Sequence, residues 1–269
     1  MPLARTTRRL KRRLSDLRGL LDLRSKNRVE RRSDFSACTK PVLLIYGFWS
    51  TRRALRVLET RLRQDGYCVF SIHLGGLLDA FNTRGIDESA ELVRDKVERL
   101  YARYPNMGPL SIVGHSKGGL IGRYYIKRLG GERRACTLIT LGTAHHGTPV
   151  AYAGVMALGL LSKSVWQMTP MSPFIRRLKL GAFPAHVRFV SVYSKADKAS
   201  PFPTCILEAN QPNLFNVEVP GIAHRDFLLR RSVYEVVRRE LARGYGEEPA
   251  EEKPKQAGEP GKPHLVSFD

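Results

Sequence analysis

Cysteine is scarce and scattered in this chain of 269 residues: Cys38, Cys68, Cys136 and Cys205 form no Cys-x-x-Cys pair. A disulfide scaffold is therefore not the organising principle, and four mostly buried thiols are expected. No two ligand-type residues share a zinc-like spacing, so no metal or other cofactor is expected. Long apolar runs are also lacking. The most apolar stretch, Ala151–Leu161, is too short to cross a bilayer, which argues against a multi-span membrane protein. After Met1 no uninterrupted apolar segment and no small-residue cleavage pattern follow, so an ordinary export signal is not expected. Acidic residues are the minority, 25 against 45 Lys and Arg. With 42% hydrophobic residues the chain can build a sizeable core, which excludes a wholly disordered protein.

The positive charge is spread unevenly. Residues 1–34 carry 12 basic against 4 acidic residues, and residues 245–269 carry 3 against 6. The body, 35–244, keeps +15 of the formal +20. In the first segment Leu10, Leu14, Leu17 and Leu21 recur at spacings of four, three and four, with Arg and Lys between them. That pattern fits a basic amphipathic helix able to lie on an anionic membrane surface, or to pack its leucines on the body or a partner. The last segment mixes Glu, Lys, Pro and Gly without hydrophobic spacing and is expected to be a disordered tail. Without an export signal, the expected location is cytoplasmic, peripheral at the inner membrane. Nothing in the sequence addresses the oligomeric state.

Within 35–244, short apolar runs alternate with helical periodicity, as in a mostly parallel sheet covered by helices on both faces. Strands are expected at 41–46, 67–72, 110–113, 136–141, 187–193 and 214–219. Helical faces are read at 54–62, 90–100, 120–129 and 227–241. Between Val150 and Phe183 the alternation stops, and Met156, Leu160, Trp166, Met168 and Met171 gather in a segment that Pro170 and Pro173 interrupt. An insertion there, just beyond a strand end, is read as an apolar cap over a pocket.

Gly114-His115-Ser116-Lys117-Gly118 has the G-x-S-x-G pattern of a nucleophile elbow. By composition alone it arises in about one chain of this length in ten, so its context matters. A strand enters and a helix leaves, and a turn that sharp needs the small neighbours Gly114, Gly118 and Gly119. Ser116 is the expected nucleophile, and a serine hydroxyl needs a base. Of seven histidines, His224 sits in a loop after the last strand, where its ring can reach Ser116. His115 points wrongly for proton transfer, and His145 and His146 better suit the pocket floor. The orienting carboxylate should follow a strand between Ser116 and His224. Asp197 is the one aspartate in that interval, with Glu208 as its rival. Two backbone N–H groups should receive the developing oxyanion, those of Lys117 and Phe48. Gly47, Trp49, His115, His145 and Trp166 complete the expected substrate pocket.

Taken together, Tyr46-Gly47-Phe48, the elbow with Gly119, Leu141-Gly142-Thr143-Ala144-His145-His146-Gly147-Thr148-Pro149, Asp197 and Gly221-Ile222-Ala223-His224 resemble the bacterial triacylglycerol lipases of the α/β-hydrolase superfamily, over residues 41–243 in order. The resemblance implies the α/β-hydrolase fold with a cap insertion at about 150–183. It also implies hydrolysis of acyl-lipid esters through an acyl-enzyme. Two positions depart from that family. Tyr46 replaces its usual histidine. Asp226 matches one calcium-ligand position, but Arg230 shares its face and Ile175–Leu180 upstream is basic, so no calcium site is expected. An acyltransferase or amidase with the same triad is an alternative reading. So is a non-catalytic basic protein binding a membrane or nucleic acid. Against the latter, no nucleic-acid motif or aromatic-interleaved basic patch is present.

Overall fold

A computed structural model describes residues 34–76, 82–158, 162–208 and 210–248. The leucine stripe at Leu10–Leu21 and the tail beyond residue 248 lie outside the described residues. Among the described residues, no helix is long and apolar enough to cross a membrane.

Among the described residues six strands form one parallel sheet: β1 Pro41–Ile45, β2 Cys68–Ser71, β3 Leu110–His115, β4 Ala135–Leu141, β5 Arg188–Tyr193 and β6 Leu214–Glu218. Their spatial order is β2-β1-β3-β4-β5-β6. β1 and β3 are buried along their whole length. Strands covered on both faces must be apolar at successive positions, which is why Val42-Leu43-Leu44-Ile45 reads as a run rather than an alternation. The outermost β6 is only half-buried.

The connecting helices are α1 Arg56–Gln64, α2 Ile86–Arg103, α3 Lys117–Arg128 and α8 Arg231–Gly244. Neighbouring residues of β4 show how they divide between the faces. A Cβ added to Gly122 of α3 would lie 3.0 Å from Leu138, while one on Gly244 of α8 would overlap Thr137. Successive strand residues point to opposite faces, so α3 and α8 sandwich the sheet. α2 packs on α3, and α1 on α8. Tyr245, just past α8 and assigned to the tail by composition, belongs to the body. Its hydroxyl donates to the Pro41 carbonyl at 2.7 Å.

The insertion resolves into α4 Val150–Leu158, α5 Lys163–Gln167 and α6 Pro173–Lys179. Pro173 starts α6 rather than merely interrupting the segment. Ser172 caps that helix by accepting from Ile175 N–H at 3.1 Å, and proline at the first turn gives up no needed hydrogen bond. α5 is tied to the segment leading into α2. Ser162 Oγ donates to the Thr83 carbonyl at 2.7 Å, and Ile86 N–H donates to Gln167 Oε1 at 2.6 Å. The short helix α7, Phe202–Cys205, follows β5.

Cys38, Cys68 and Cys205 are buried and Cys136 is half-buried; all four are free thiols.

Candidate active site

The strand order reverses direction between β1 and β3, where β1 leads out to β2 on one side and β3 to β4 on the other. In parallel sheets the crevice at such a point, beyond the carboxyl ends of the strands, is where ligands are held. Ser116 stands there. It is the hinge between β3 and α3, with φ +54° and ψ −126°. An L-residue there stores about 1–3 kcal/mol of strain, which the surroundings must impose. They do so by removing side chains. A Cβ on Gly114 would come within 2.6 Å of the Gly118 and Gly119 backbone, and one on Gly118 within 2.2 Å of the Ile45 carbonyl. Three hydrogen bonds fasten the serine backbone. Its N–H donates to Leu141 O at 2.9 Å, and its carbonyl accepts from Gly119 N–H and Thr143 Oγ1 at 3.0 and 2.9 Å.

Asp197 lies in the loop after β5 and His224 in the loop after β6. His224 Nε2 is 3.0 Å from Ser116 Oγ, and its Nδ1 is 2.7 Å from Asp197 Oδ2. The network assigns the tautomer: a carboxylate only accepts, so the ring proton sits on Nδ1 and Nε2 offers its lone pair to the serine hydroxyl. The other carboxylate oxygen, Asp197 Oδ1, accepts from the N–H groups of Ala199 and Ser200 at 2.9 and 3.0 Å. Asp197 is thereby buried with both oxygens satisfied. Ser194 Oγ accepts from Ile222 N–H at 3.1 Å, pinning the histidine loop to the carboxylate loop. Glu208, the rival carboxylate, is exposed.

Lys117 N–H opens α3, directly after the serine. Gly47 runs beside it, since a Cβ there would fall 2.9 Å from Ser116 Cβ. The chain then turns through Phe48 and Trp49. Trp49 is left-handed at φ +51° and 44% exposed.

The remaining sequence-selected residues go to different places. His115 is buried below His224: the rings lie 4.9 Å apart, and His115 Nε2 is 2.9 Å from the His224 carbonyl. That contact makes Nε2 the protonated nitrogen and leaves Nδ1 a buried atom without a partner. Burial first, and His224 second, push this imidazole down to about 4. His145 is fully enclosed, its Nε2 3.0 Å from Thr140 Oγ1 and its ring edge-on to Phe189. Trp166 projects from α5 and is 55% exposed. Tyr46 is buried, and its hydroxyl accepts from Leu74 N–H at 2.8 Å. Asp226 accepts from Arg230 at 3.1 and 3.3 Å.

Sequence reasoning missed Asn82 and the side chain of Lys117. Lys117 is 1% exposed, and its ammonium donates to Asn82 Oδ1 at 2.8 Å, Asn82 O at 3.2 Å and Arg84 O at 2.5 Å. Burial pushes it down to about 7, against a smaller opposing pull from Glu88 and Asp87. Asn82 in turn donates from Nδ2 to Tyr46 O at 3.0 Å and from its backbone to Ser50 O at 3.3 Å. One buried lysine thus joins the elbow to the loop carrying Phe48. The adjacent Thr83 carries the contact onward to α5.

Comparison with known families now has a geometry to rest on. The family described as "Putative serine esterase (DUF676)" matches residues 37–196. The chain belongs to this family. The match takes in the elbow at Ser116 but ends one residue before Asp197, so the placement of Asp197 and His224 comes from the structure. No curated protein sequence matches the chain. Among solved structures it resembles lipase B of Aspergillus fumigatus, with TM-score 0.60 and 18% identity, over 74% of this chain and 51% of that one. It thus spans about half the length of the fungal lipase. It also resembles the mature lipase BlEst2 of Bacillus licheniformis, with TM-score 0.61, 14% identity, and 79% and 96% of the two chains covered. A monoacylglycerol lipase of Paleococcus ferrophilus gives TM-score 0.56 and 16% identity, over 78% and 96%. These likenesses show the α/β-hydrolase fold.

Proposed function

We propose that this chain is a serine esterase that cleaves carboxylic esters of apolar acyl chains through a covalent acyl-enzyme. The observation that carries the reading is the continuous relay from Asp197 through His224 to a serine held in a left-handed turn. Ser116 Oγ attacks the ester carbonyl while His224 Nε2 takes its proton. Asp197, an acceptor with no spare oxygen, holds the resulting imidazolium in place. The backbone N–H groups of Lys117 and Phe48 receive the oxyanion, aided by the positive end of α3. His224 then passes its proton to the leaving alcohol, and water, deprotonated by the same ring, releases the acid.

The apolar substrate class is supported by large exposed side chains on the loop after β1 and on the insertion. Trp49, Tyr152, Met156, Trp166 and Met171 all face solvent. Isolated exposed apolar residues are ordinary; a set concentrated on two segments joined through Asn82 and Thr83 fits a surface that meets acyl chains. The +15 body and the basic leucine stripe at Leu10–Leu21 support contact with an anionic lipid surface.

Two measurements test these readings. A fluorophosphonate probe should label the wild type and not Ser116→Ala, and turnover of esters of rising chain length should fall by about 10³-fold or more in that variant. Failure of the wild type to label would overturn the catalytic reading. Co-sedimentation with anionic vesicles should be stronger for the full chain than for one starting at Ser33; equal binding would remove the leucine stripe as the anchor.

A further inference from the structure

A cavity of about 390 Å³, within the size range of small-molecule sites, opens beside α3, and none of Ser116, Asp197 and His224 lines it. Its floor is apolar, made by Phe183, Phe189, Leu207 and Leu214. Its wall is cationic, with Arg123 and Lys127 from α3 and Lys179 from α6.

Arg123 is the anomaly in that wall. Its guanidinium lies over the Phe189 ring at 5.8 Å but makes no hydrogen bond or ion pair to any described residue. Its Nε is inaccessible to solvent and unpartnered. The neighbouring groups are differently placed. Lys127 Nζ is spent on three carbonyls at the end of α6, those of Leu178, Lys179 and Gly181, at 3.1, 3.3 and 2.5 Å. His146 Nε2 is held by the Ile206 carbonyl at 2.8 Å. His145, beside Arg123, has a second unpartnered buried atom, Nδ1. Burial and the Arg123 charge keep that imidazole neutral. Glu208 stands at the rim, exposed and without an ion pair among the described residues.

A half-buried guanidinium whose Nε is shut off from water without an acceptor is costly to keep, and its planar fork matches a carboxylate. We propose that this cavity binds an amphipathic carboxylate, with the head on Arg123 and the hydrocarbon along Phe183, Phe189, Leu207 and Leu214. The site is separate from the ester-cleaving centre and does not depend on that assignment.

Calorimetric titration of the full chain with decanoate, decanol and inorganic phosphate tests it. Decanoate should bind at least about tenfold more tightly than decanol, since a charge-assisted bond is at stake. Phosphate, lacking the apolar tail, should bind more weakly than decanoate. Arg123→Gln should weaken decanoate about 10- to 100-fold while leaving the kcat and KM of ester turnover unchanged. Glu208→Gln, which removes the one carboxylate that could fold onto Arg123, should tighten decanoate binding. Decanoate binding that survives at full strength in Arg123→Gln would place the ligand elsewhere and overturn the proposal. So would equal affinity for decanol or phosphate, or no binding by wild type and Glu208→Gln alike. The head-group comparison on the wild type stands whether or not Arg123→Gln folds.

Discussion

His115 holds the main chain of His224: its Nε2 donates to the His224 carbonyl at 2.9 Å, one residue before the nucleophile and under the ring that serves it. The elbow therefore grips the base from below, while Asp197 grips it from the side. His115→Phe keeps an aromatic ring and removes the donor. Because small misplacements of a catalytic group cost far more rate than affinity, kcat should fall about 10- to 100-fold with KM little changed. Steady-state kinetics on a soluble ester checks this, and an unchanged kcat would reduce His115 to packing. Partial recovery in His115→Gln, which restores an N–H donor, is also expected.

The same residue sets an acid limit on stability. His115 is pushed from 6.5 down to about 4 in the folded chain. Between those values the unfolded chain binds a proton that the folded chain refuses. Its contribution is therefore complete above pH 6.5 and is lost as pH falls towards 4. Urea unfolding at pH 7 and pH 5 should show a smaller acid loss for His115→Phe than for wild type.

Ser116→Gly should make the protein inactive and more stable at once. Glycine adopts φ +54° without a Cβ penalty, so a gain of about 1 kcal/mol is expected. Thermal melting of Ser116→Gly beside Ser116→Ala separates strain relief from loss of the hydroxyl. If both melt alike, the turn is not strained.

Lys117 works in the same pH direction as His115, in a higher window. Its ammonium is pushed from 10.5 to about 7, so between those values the unfolded chain holds the proton and the folded chain does not. Stability from this group rises with pH through that window, and the penalty for a buried charge is full below it. Lys117→Met should remove that rise in melts across pH 7 to 10. It should also lower kcat, because Asn82 loses its anchor to the elbow. A kcat equal to wild type would show that the loop carrying Phe48 is held without the lysine.

Asp226 is engaged by Arg230, at 3.1 and 3.3 Å. Chelation with EDTA should accordingly change ester turnover by less than about twofold. A large loss restored by calcium would show that the arginine yields to a metal.

Much of this was legible in the sequence, for a physical reason. A parallel sheet buried on both faces writes its inner strands as apolar runs, as in β1, and all six strands overlap the ranges expected from the sequence. Helix starts were less legible. The helix expected from Leu120 begins at Lys117, since Gly118 and Gly119 carry no apolar face to reveal its first turn. The last helix begins at Arg231, after a short 3-10 turn over Asp226–Leu228, rather than at Phe227. The spacing that brought Ser116, Asp197 and His224 together is one of order along the chain, which a parallel topology converts into proximity. Asn82 obeys no such order. It reaches the elbow from a loop without periodicity, and only the folded chain shows that a buried lysine is waiting for it.

The glycines around Ser116 also decide where this protein can change. Gly114, Gly118 and Gly119 each face another atom within 2.6 Å of any added Cβ, so those positions are closed to variation. The insertion is built differently: Tyr152, Met156, Trp166 and Met171 point into solvent, where replacement disturbs little packing. A lineage, or a library, that seeks new ester preferences will find its freedom between residues 150 and 183. The three glycines of the elbow leave no room for the same freedom.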